Sequence, residues 1–344
     1  MIILMKINLA EILALDSLKI GYVSGGHENI LLPPLNACAN KGDIIAVIGR
    51  NGIGKSTLLR TLTGLQPSLG GEIFYSGKNI RDYSRMDLAQ KVGYISTEIV
   101  KVSNMSVYDL VALGRFPHTN WIGNIDVRNH DAIMDAMDKT GMSSLHKRFV
   151  SELSDGERQK AMIARILAQD TGIMIMDEPT AFLDIGSKYE ILHLMHLLSQ
   201  KSEKTIIFST HDLHMAISQS DKIWLILDDK LIEGAPEDLL IEGAFDRLFD
   251  TSPVQFNSEN GTFSFRMEDK GSIYIDGEGV LRHWTEKAIN RAGFAISSVK
   301  TIPYIIVPSG NNCKWQLSAN NSFIDFDSIY EMIRWLCNEE VRPI

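Results

Sequence analysis

The sequence predicts an α/β domain built around a phosphate-binding loop, followed by a small α+β domain. Three observations carry this expectation. Gly49-Arg50-Asn51-Gly52-Ile53-Gly54-Lys55-Ser56 fits the pattern G-x-x-x-x-G-K-[ST]. Apolar, β-branched runs at 43–48, 173–176 and 204–210 read as buried strands of a parallel sheet. From about Pro253 the chain changes to short strand patterns and two helices.

Composition narrows the function classes. The chain has 344 residues, 44% hydrophobic and 22% charged, which describes an ordinary globular protein of one large domain or two. A net charge of −9 argues against a nucleic-acid partner held by a broad basic surface. Cys38, Cys313 and Cys337 are too few and too dispersed for a disulfide framework or a zinc site. Met1 to Met5 is apolar but ends at Lys6, too short for a signal peptide, and no run approaches the roughly 20 apolar residues of a membrane span. The expectation is a soluble, cytoplasmic chain that reaches a membrane only through a partner.

Taken in order, Leu18 to Tyr22 reads as a strand ending in an aromatic. Tyr22 could stack on an adenine face or be a half-buried strand tyrosine. The strand at 43–48 enters the glycine loop, and Ser56 to Leu62 reads as a helix that stops at Gly64. Strand, glycine loop and helix together form the P-loop arrangement. Backbone N–H groups turn toward phosphate, and the helix N-terminus adds partial positive charge. Lys55 would reach the β- and γ-phosphates, and the Ser56 hydroxyl would ligate Mg²⁺.

Gly71 to Tyr75 and Val92 to Ser96 read as strands, with a turn at 76–79 and a short helix at 84–90 between them. Val107 to Leu113 and Asn129 to Thr140 read as helices, joined through Gly114 to Trp121, an exposed loop carrying Phe116 and Trp121. These aromatics suit either a docking surface or a small local core. Ser154 and Glu157 are spaced as a capping box before a helix with apolar Met162, Ile163, Ile166 and Leu167. Ile173 to Met176 runs into Asp177 and Glu178. Asp177 is placed to hold Mg²⁺, and Glu178 to orient and deprotonate a water. His211 ends the strand at 204–210, where it could contact a γ-phosphate. A hairpin at 223–234 and a helix from Glu237 to Phe249 complete the first domain.

This ordered set resembles the ATP-binding subunit of ABC transporters over roughly residues 10–250. The Leu113-Gly114-Arg115-Phe116-Pro117-His118 stretch is similar to the subfamily that energises uptake of iron-siderophores, haem and cobalamin. The resemblance implies an α/β P-loop NTPase (ABC ATPase) domain, 1–250, with a helical insertion at about 100–165, and an accessory α+β domain at 253–344. It implies that ATP and Mg²⁺ are bound. Tyr22 would stack on adenine. Gly49, Arg50, Asn51, Gly52, Ile53, Gly54, Lys55, Ser56 and Thr57 would hold the phosphates. Ser154 and Gly156, in the signature motif 153–157, would contact ATP on the other subunit of a head-to-tail homodimer. Asp184 would belong to the D-loop. Glu178 would be the catalytic carboxylate, His211 the switch histidine, and Ser56, Asp177 and Thr97 the metal-side ligands. Two transmembrane permease subunits, and indirectly a periplasmic or surface substrate-binding protein, would be the partners. The chain would sit at the cytoplasmic face of the inner membrane.

Two departures from the family pattern stand out. Thr97-Glu98 stands where the family usually has Gln, so Thr97 would act through a water, or Glu98 would turn inward. The signature reads L-S-D-G-E rather than L-S-G-G-E, and Asp155 is expected to reduce ATP affinity without abolishing it. In the accessory domain, strands are expected at 262–265, 272–275, 294–296, 304–307 and 314–317, and helices at 284–292 and 326–337. That domain carries no catalytic motif, and a regulatory or sensing role, a dimer contact and a structural appendage all remain open for it. The alternative function is a soluble ABC ATPase of DNA repair or translation. Such proteins usually carry a long coiled-coil insertion or two ATPase modules, and this chain shows neither. An exporter subunit is a third reading, disfavoured by the 113–118 stretch.

Overall fold

The structure, a computed structural model, describes residues 11–97, 104–119, 126–249, 254–257, 261–265, 270–300, 303–309, 314–319 and 322–338. Glu98, Trp121 and Met1 to Met5 lie outside the described residues. The chain divides into two compact units, Met1–Asp250 and Thr251–Ile344.

The first unit begins with strand β1 (Glu11–Lys19) and a hairpin of β2 (Gly21–Ser24) and β3 (His27–Ile30). Strands β4 (Leu35–Asn40) and β5 (Ile44–Gly49) follow, then helix α1 (Lys55–Leu62), β6 (Gly70–Tyr75), β7 (Lys78–Asn79), α2 (Arg85–Ala89) and β8 (Val92–Ile95). A helical segment comes next, with α3 (Val107–Ala112), α4 (Val127–Lys139) and α5 (Asp155–Ala168). Then come β9 (Ile173–Met176), α6 (Ile185–Ser202), β10 (Thr205–Ser209), α7 (Leu213–Gln219), β11 (Lys222–Ile226), β12 (Leu231–Gly234) and α8 (Pro236–Ile241).

Two sheets enclose α1. One is antiparallel, in the order β4-β1-β6-β7. The other runs β12-β11-β5-β10-β9-β8, parallel except for β12. Leu58, Leu59 and Leu62 of α1 share one core cluster with Leu13 and Leu15 of the first sheet and Ile45, Val47, Ile207 and Trp224 of the second. Burial on both faces explains why β5, β9 and β10 read as continuous apolar runs rather than alternating ones. It also fixes the site, because connections leaving the C-terminal ends of parallel strands gather along one edge.

Three local expectations differ from the structure. The helix expected over 237–249 is two pieces, α8 and a 3₁₀ turn at Ala244–Leu248, because Gly243 between them is left-handed at φ 67°. The exposed loop expected at 114–121 is a 3₁₀ helix at Leu113–His118. The strand expected at 18–22 is broken at Ile20, and β1 extends back to Glu11.

The second unit contains the hairpin β13 (Val254–Asn257) and β14 (Thr262–Phe265). It continues with β15 (Ser272–Asp276), α9 (Gly279–Arg291), β16 (Ala295–Ile296), β17 (Tyr304–Ile306), β18 (Trp315–Ala319), β19 (Ser322–Phe326) and α10 (Ile329–Asn338). Its five-stranded sheet runs β16-β15-β17-β18-β19. Ile275, Ile305 and Leu317 of the sheet, Ile289 of α9 and Met332 and Leu336 of α10 form a core of its own. The sequence reading missed β13 and β19. It assigned Phe326 to the last helix, whereas that residue ends β19 and is buried.

Candidate functional site

The glycine loop closes the C-terminal end of β5 and opens α1. Gly52 and Gly54 take φ values of 81° and 110°, a left-handed region open to glycine at little cost. Gly54 is the N-cap of α1 and makes no side-chain capping bond, so the helix's first N–H groups have no side-chain acceptor from that residue. The Lys55 side chain is 7% exposed, and its Nζ donates to the carbonyls of Gly49 at 2.8 Å and Arg50 at 3.2 Å. Burial pushes the Lys55 ammonium below its ordinary pKa, and the Glu178 and Asp177 carboxylates pull it back up. Ser56 is exposed and Thr57 partly so. The Arg50 side chain turns away from the loop. Its guanidinium donates to the Leu248 carbonyl at 3.2 Å and pairs with Asp228 at 3.3 Å.

The acidic strand end is held by a residue the sequence reading missed. Ser209, buried at the end of β10, donates from Oγ to Asp177 Oδ1 at 2.6 Å and accepts from the Glu178 N–H at 2.9 Å. One hydroxyl therefore positions both acids. Glu178 has φ 49°, an uncommon conformation for a residue with a Cβ and one found enriched at functional sites. Its Oε2 lies 3.5 Å from His211 Nδ1. A polar residue ending the apolar run of β10, beside the acids of β9, was the only signal in the sequence for Ser209.

Ser154 caps α5 as expected from its spacing. Its hydroxyl accepts from the Glu157 N–H, and Glu157 Oε2 accepts from the Ser154 N–H at 2.8 Å. That second bond is the main reason the Glu157 carboxyl is held below its ordinary pKa. Asp155 pairs with Arg158 at 2.8 Å within the same turn. Asp184 caps α6, accepting from the Ser187 N–H at 2.9 Å, which holds its carboxyl below the usual range. The two helix starts touch: a Cβ on Gly156 would lie 2.8 Å from Ser187 Oγ. Tyr22 stands on the β2–β3 hairpin, 48% exposed. The hairpin's flanks, Ile20 and Leu31, lie against Gly54, so the hairpin rises beside the glycine loop.

One cleft joins several of these residues. Thr97, Asp155, Arg158, Gln159, Asp177, Glu178 and Phe182 all line it. Both departures from the family pattern that lie among the described residues, Thr97 and Asp155, therefore face the same space as the acids.

A second depression, a groove of about 550 Å³, lies between the core sheet and the helical segment. Leu65, Arg85, Leu88, Leu113, Arg165 and Gln169 are on its walls. The 113–118 stretch shapes it. A Cβ on Gly114 would lie 1.9 Å from the Arg165 carbonyl oxygen, so only glycine lets this turn sit on α5. Arg115 donates to the Ala168 carbonyl at 2.7 Å and to Asn129 at 2.9 Å. His118 bonds the Gln169 carbonyl at 2.9 Å. These two side chains cap carbonyls at the C-terminal end of α5. Phe116, at 67% exposure, and Leu113, at 53%, are the large apolar side chains of the stretch that project outward.

Comparison with known proteins gives the same reading. The family model described as ABC transporter matches residues 32–181. A second, described as the iron ABC transporter C-terminal domain, matches 270–337. An uncharacterized ABC transporter ATP-binding protein of Methanocaldococcus jannaschii is 34% identical over 276 residues, covering 78% of this chain and 94% of that protein. The petrobactin import ATP-binding protein FpuC of Bacillus anthracis is 31% identical, covering 74% and 94%. The ferric enterobactin transport ATP-binding protein of Escherichia coli is 34% identical, covering 60% and 77%. Among solved structures, an inward-facing ABC transporter described as of metal-chelate type superposes with a TM-score of 0.61 at 28% identity, covering 74% of this chain and 95% of that one. A bacterial cassette solved as a dimer shares the fold, with a TM-score of 0.57 at 22% identity, covering 65% and 98%. The chain belongs to the ATP-binding subunits of ABC transporters, in the branch whose members include siderophore and ferric-iron import subunits.

Proposed function

We propose that this chain is the ATP-hydrolysing subunit of an importer for an iron-siderophore or a chemically similar metal chelate, haem and cobalamin included. The observation that carries the reading is the convergence of Lys55, Asp177, Glu178 and His211 at the edge of one parallel sheet, with Ser209 fixing both acids. Lys55 gives up its carbonyl partners for the β- and γ-phosphates, whose negative charge favours its ammonium form. Gly49 to Thr57 supply backbone and hydroxyl donors to the phosphates, and Tyr22 stacks on the adenine.

The residues suit Mg²⁺. Among the described residues no cluster of three or more His, Cys, Asp or Glu side chains could hold a metal by itself. A hydroxyl and one carboxylate beside a triphosphate is the donor set Mg²⁺ takes at such sites. Ser56 and Asp177 would hold it, with Thr97 through a water, and the ion would neutralise charge on the phosphates. Glu178 takes a proton from water as the water oxygen bonds to the γ-phosphorus and the bond to the ADP oxygen breaks. His211 steadies the Glu178 carboxylate and the γ-phosphate.

Ser154 and Gly156 meet the ATP of a second copy in a head-to-tail homodimer, near Asp184. The Asp155–Arg158 pair offsets the extra carboxylate at that contact, so the cost to ATP affinity is modest. The groove beside Leu65 and Leu113 receives a permease subunit at the cytoplasmic face of the membrane. No described helix is long and apolar enough to cross a membrane. The reading gives the transmembrane path to two permease subunits, fed by a substrate-binding protein. The soluble-ATPase alternative has no support among the relatives above, which are transport subunits by name.

The test is ATP turnover by the purified chain and by Glu178→Gln. The reading expects the variant to bind ATP as a stable dimer while hydrolysis falls by about 100-fold or more. Near-normal turnover by the variant would remove Glu178 from its role.

A further inference from the structure

Arg50 fills the first variable position of the glycine loop, and its two ends engage different parts of the molecule. Its backbone carbonyl accepts from Lys55 Nζ at 3.2 Å. Its guanidinium leaves the loop for the end of the first unit. Nε donates to the Leu248 carbonyl at 3.2 Å, Nη2 to the Arg247 carbonyl at 3.4 Å, and Nη1 to Asp228 Oδ2 at 3.3 Å. Among the described residues, Arg50 makes the loop's only side-chain hydrogen bonds to other elements, since the Lys55 bonds stay within the loop. The acceptors meet in one corner. Leu248 ends the 3₁₀ turn Ala244–Leu248, and Asp228 lies in the turn between β11 and β12. Arg247 pairs with Asp229 of that turn at 2.9 Å, so the two turns are tied to each other as well. The corner rests on the start of the loop: a Cβ on Gly49 would lie 2.9 Å from the Ile226 carbonyl oxygen, where β11 ends.

A cation beside a phosphate site can serve the anion directly, but this one turns to carbonyls, which a planar fork of donors matches and a point charge does not. Holding a loop in its bound shape raises affinity by lowering the cost of ordering it. We propose that Arg50 is a positioning residue that couples nucleotide in the glycine loop to the 244–249 segment. Its guanidinium pins the loop in the shape that receives phosphate. When Lys55 leaves the Arg50 carbonyl for the phosphates, that pin keeps the loop attached to its neighbours. The coupling is reciprocal: whatever the Arg50 bonds add to nucleotide affinity, bound nucleotide adds to the stability of those bonds and of the segment that accepts them. The segment stops just before Asp250, so the loop's state reaches the point where the first unit gives way to the second. This inference rests on the reading of the loop as a nucleotide site.

The experiment uses the full chain with Mg²⁺ and a non-hydrolysable ATP analogue. It measures the analogue's dissociation constant, the melting temperature and amide hydrogen exchange over 244–249, where the Asp246 and Phe249 N–H groups are hydrogen-bonded. In the parent, the analogue is expected to slow exchange over the segment by about fivefold or more. Arg50→Met keeps a long side chain and removes the donors. It is expected to weaken analogue binding by about the same factor and to abolish the slowing. A pin with no part in binding would protect the segment equally with and without the analogue. Arg50→Lys keeps the charge without the fork and is expected to recover about half or less of the lost affinity. If the melting temperature shows that Arg50→Met has lost its fold, exchange in the parent and binding by Arg50→Lys decide the question. Exchange over 244–249 that ignores the analogue, unchanged affinity in a folded Arg50→Met, or parental affinity in Arg50→Lys overturns the proposal. Absence of analogue binding by the parent would instead overturn the nucleotide reading on which it stands.

Discussion

The Ser209 hydroxyl is the smallest part on which the proposed chemistry depends. It donates to Asp177, which is 3% exposed, and accepts from the backbone of Glu178. Ser209→Ala leaves a buried carboxylate and a backbone N–H each one partner short. The expected cost is about 1–3 kcal/mol of stability, read from denaturant unfolding, together with a fall in kcat. A variant as stable and as active as the parent would show that the two acids are held by other means. Glu157 supplies a pH test. Its carboxyl is held below the ordinary value of 4.5, first by the Ser154 N–H. Because the folded pKa is the lower one, the carboxylate's contribution is complete above about pH 4.5 and is lost as pH falls through the folded value. The melting temperatures of the parent and Glu157→Gln are therefore expected to differ near neutrality and to converge as the pH falls through the folded value; a constant gap would contradict the capping role. Lys55→Ala is expected to abolish nucleotide binding by equilibrium dialysis, and retained affinity would contradict the P-loop assignment. Lys55 was legible through the glycine-loop pattern, and Asp177, Glu178 and His211 because polar residues at strand ends stand out after apolar runs. Ser209 was not, because a serine is ordinary at any exposed position. What sets it apart is its bonds to Asp177 and the Glu178 backbone, which only the fold reveals.

At the scale of elements, α5 joins the two candidate surfaces. Its first turns line the acidic cleft through Asp155, Arg158 and Gln159, and its far end lines the groove through Arg165 and Gln169. Ten residues at a rise of about 1.5 Å put Gln159 and Gln169 about 15 Å apart on one rigid rod. The 113–118 turn fastens that rod, and Gly114 is its closest contact. Gly114→Ala would drive a methyl group into the Arg165 carbonyl, and the expected penalty is about 3 kcal/mol, measured as a lower melting temperature. A variant with unchanged stability would mean that the turn can lift from α5 freely. The sequence marked this turn as a loop because glycine, proline and polar residues cluster there. The structure makes it a 3₁₀ helix because Arg115 and His118 find carbonyl partners at the end of α5, contacts about 50 residues away in sequence. The short β13 and β19 escaped for a related reason. Four- and five-residue strands at the edge of a pattern are set by cross-strand partners more than by their own residues.

For the whole molecule, the nucleotide-site residues all lie within Met1–Asp250, while Thr251–Ile344 has its own sheet and core. A chain ending at Asp250 is therefore expected to keep ATP affinity within a few fold, measured by equilibrium binding. A large loss would assign the second unit a part in the nucleotide site. The class of the first unit was legible because a parallel sheet buried on both faces writes itself as apolar runs, and the glycine loop adds a fixed pattern. The second unit carries no such pattern, and its likeness to the iron ABC transporter C-terminal domain came from comparison rather than from any residue that stands out. The central claim is that this chain drives a membrane importer. The most direct measurement is affinity capture of the Glu178→Gln variant with ATP from detergent-solubilised native membranes, followed by mass spectrometry. The account predicts a polytopic permease held in a complex with two copies of this chain. Capture of ribosomal or DNA-bound partners in place of a permease would contradict it.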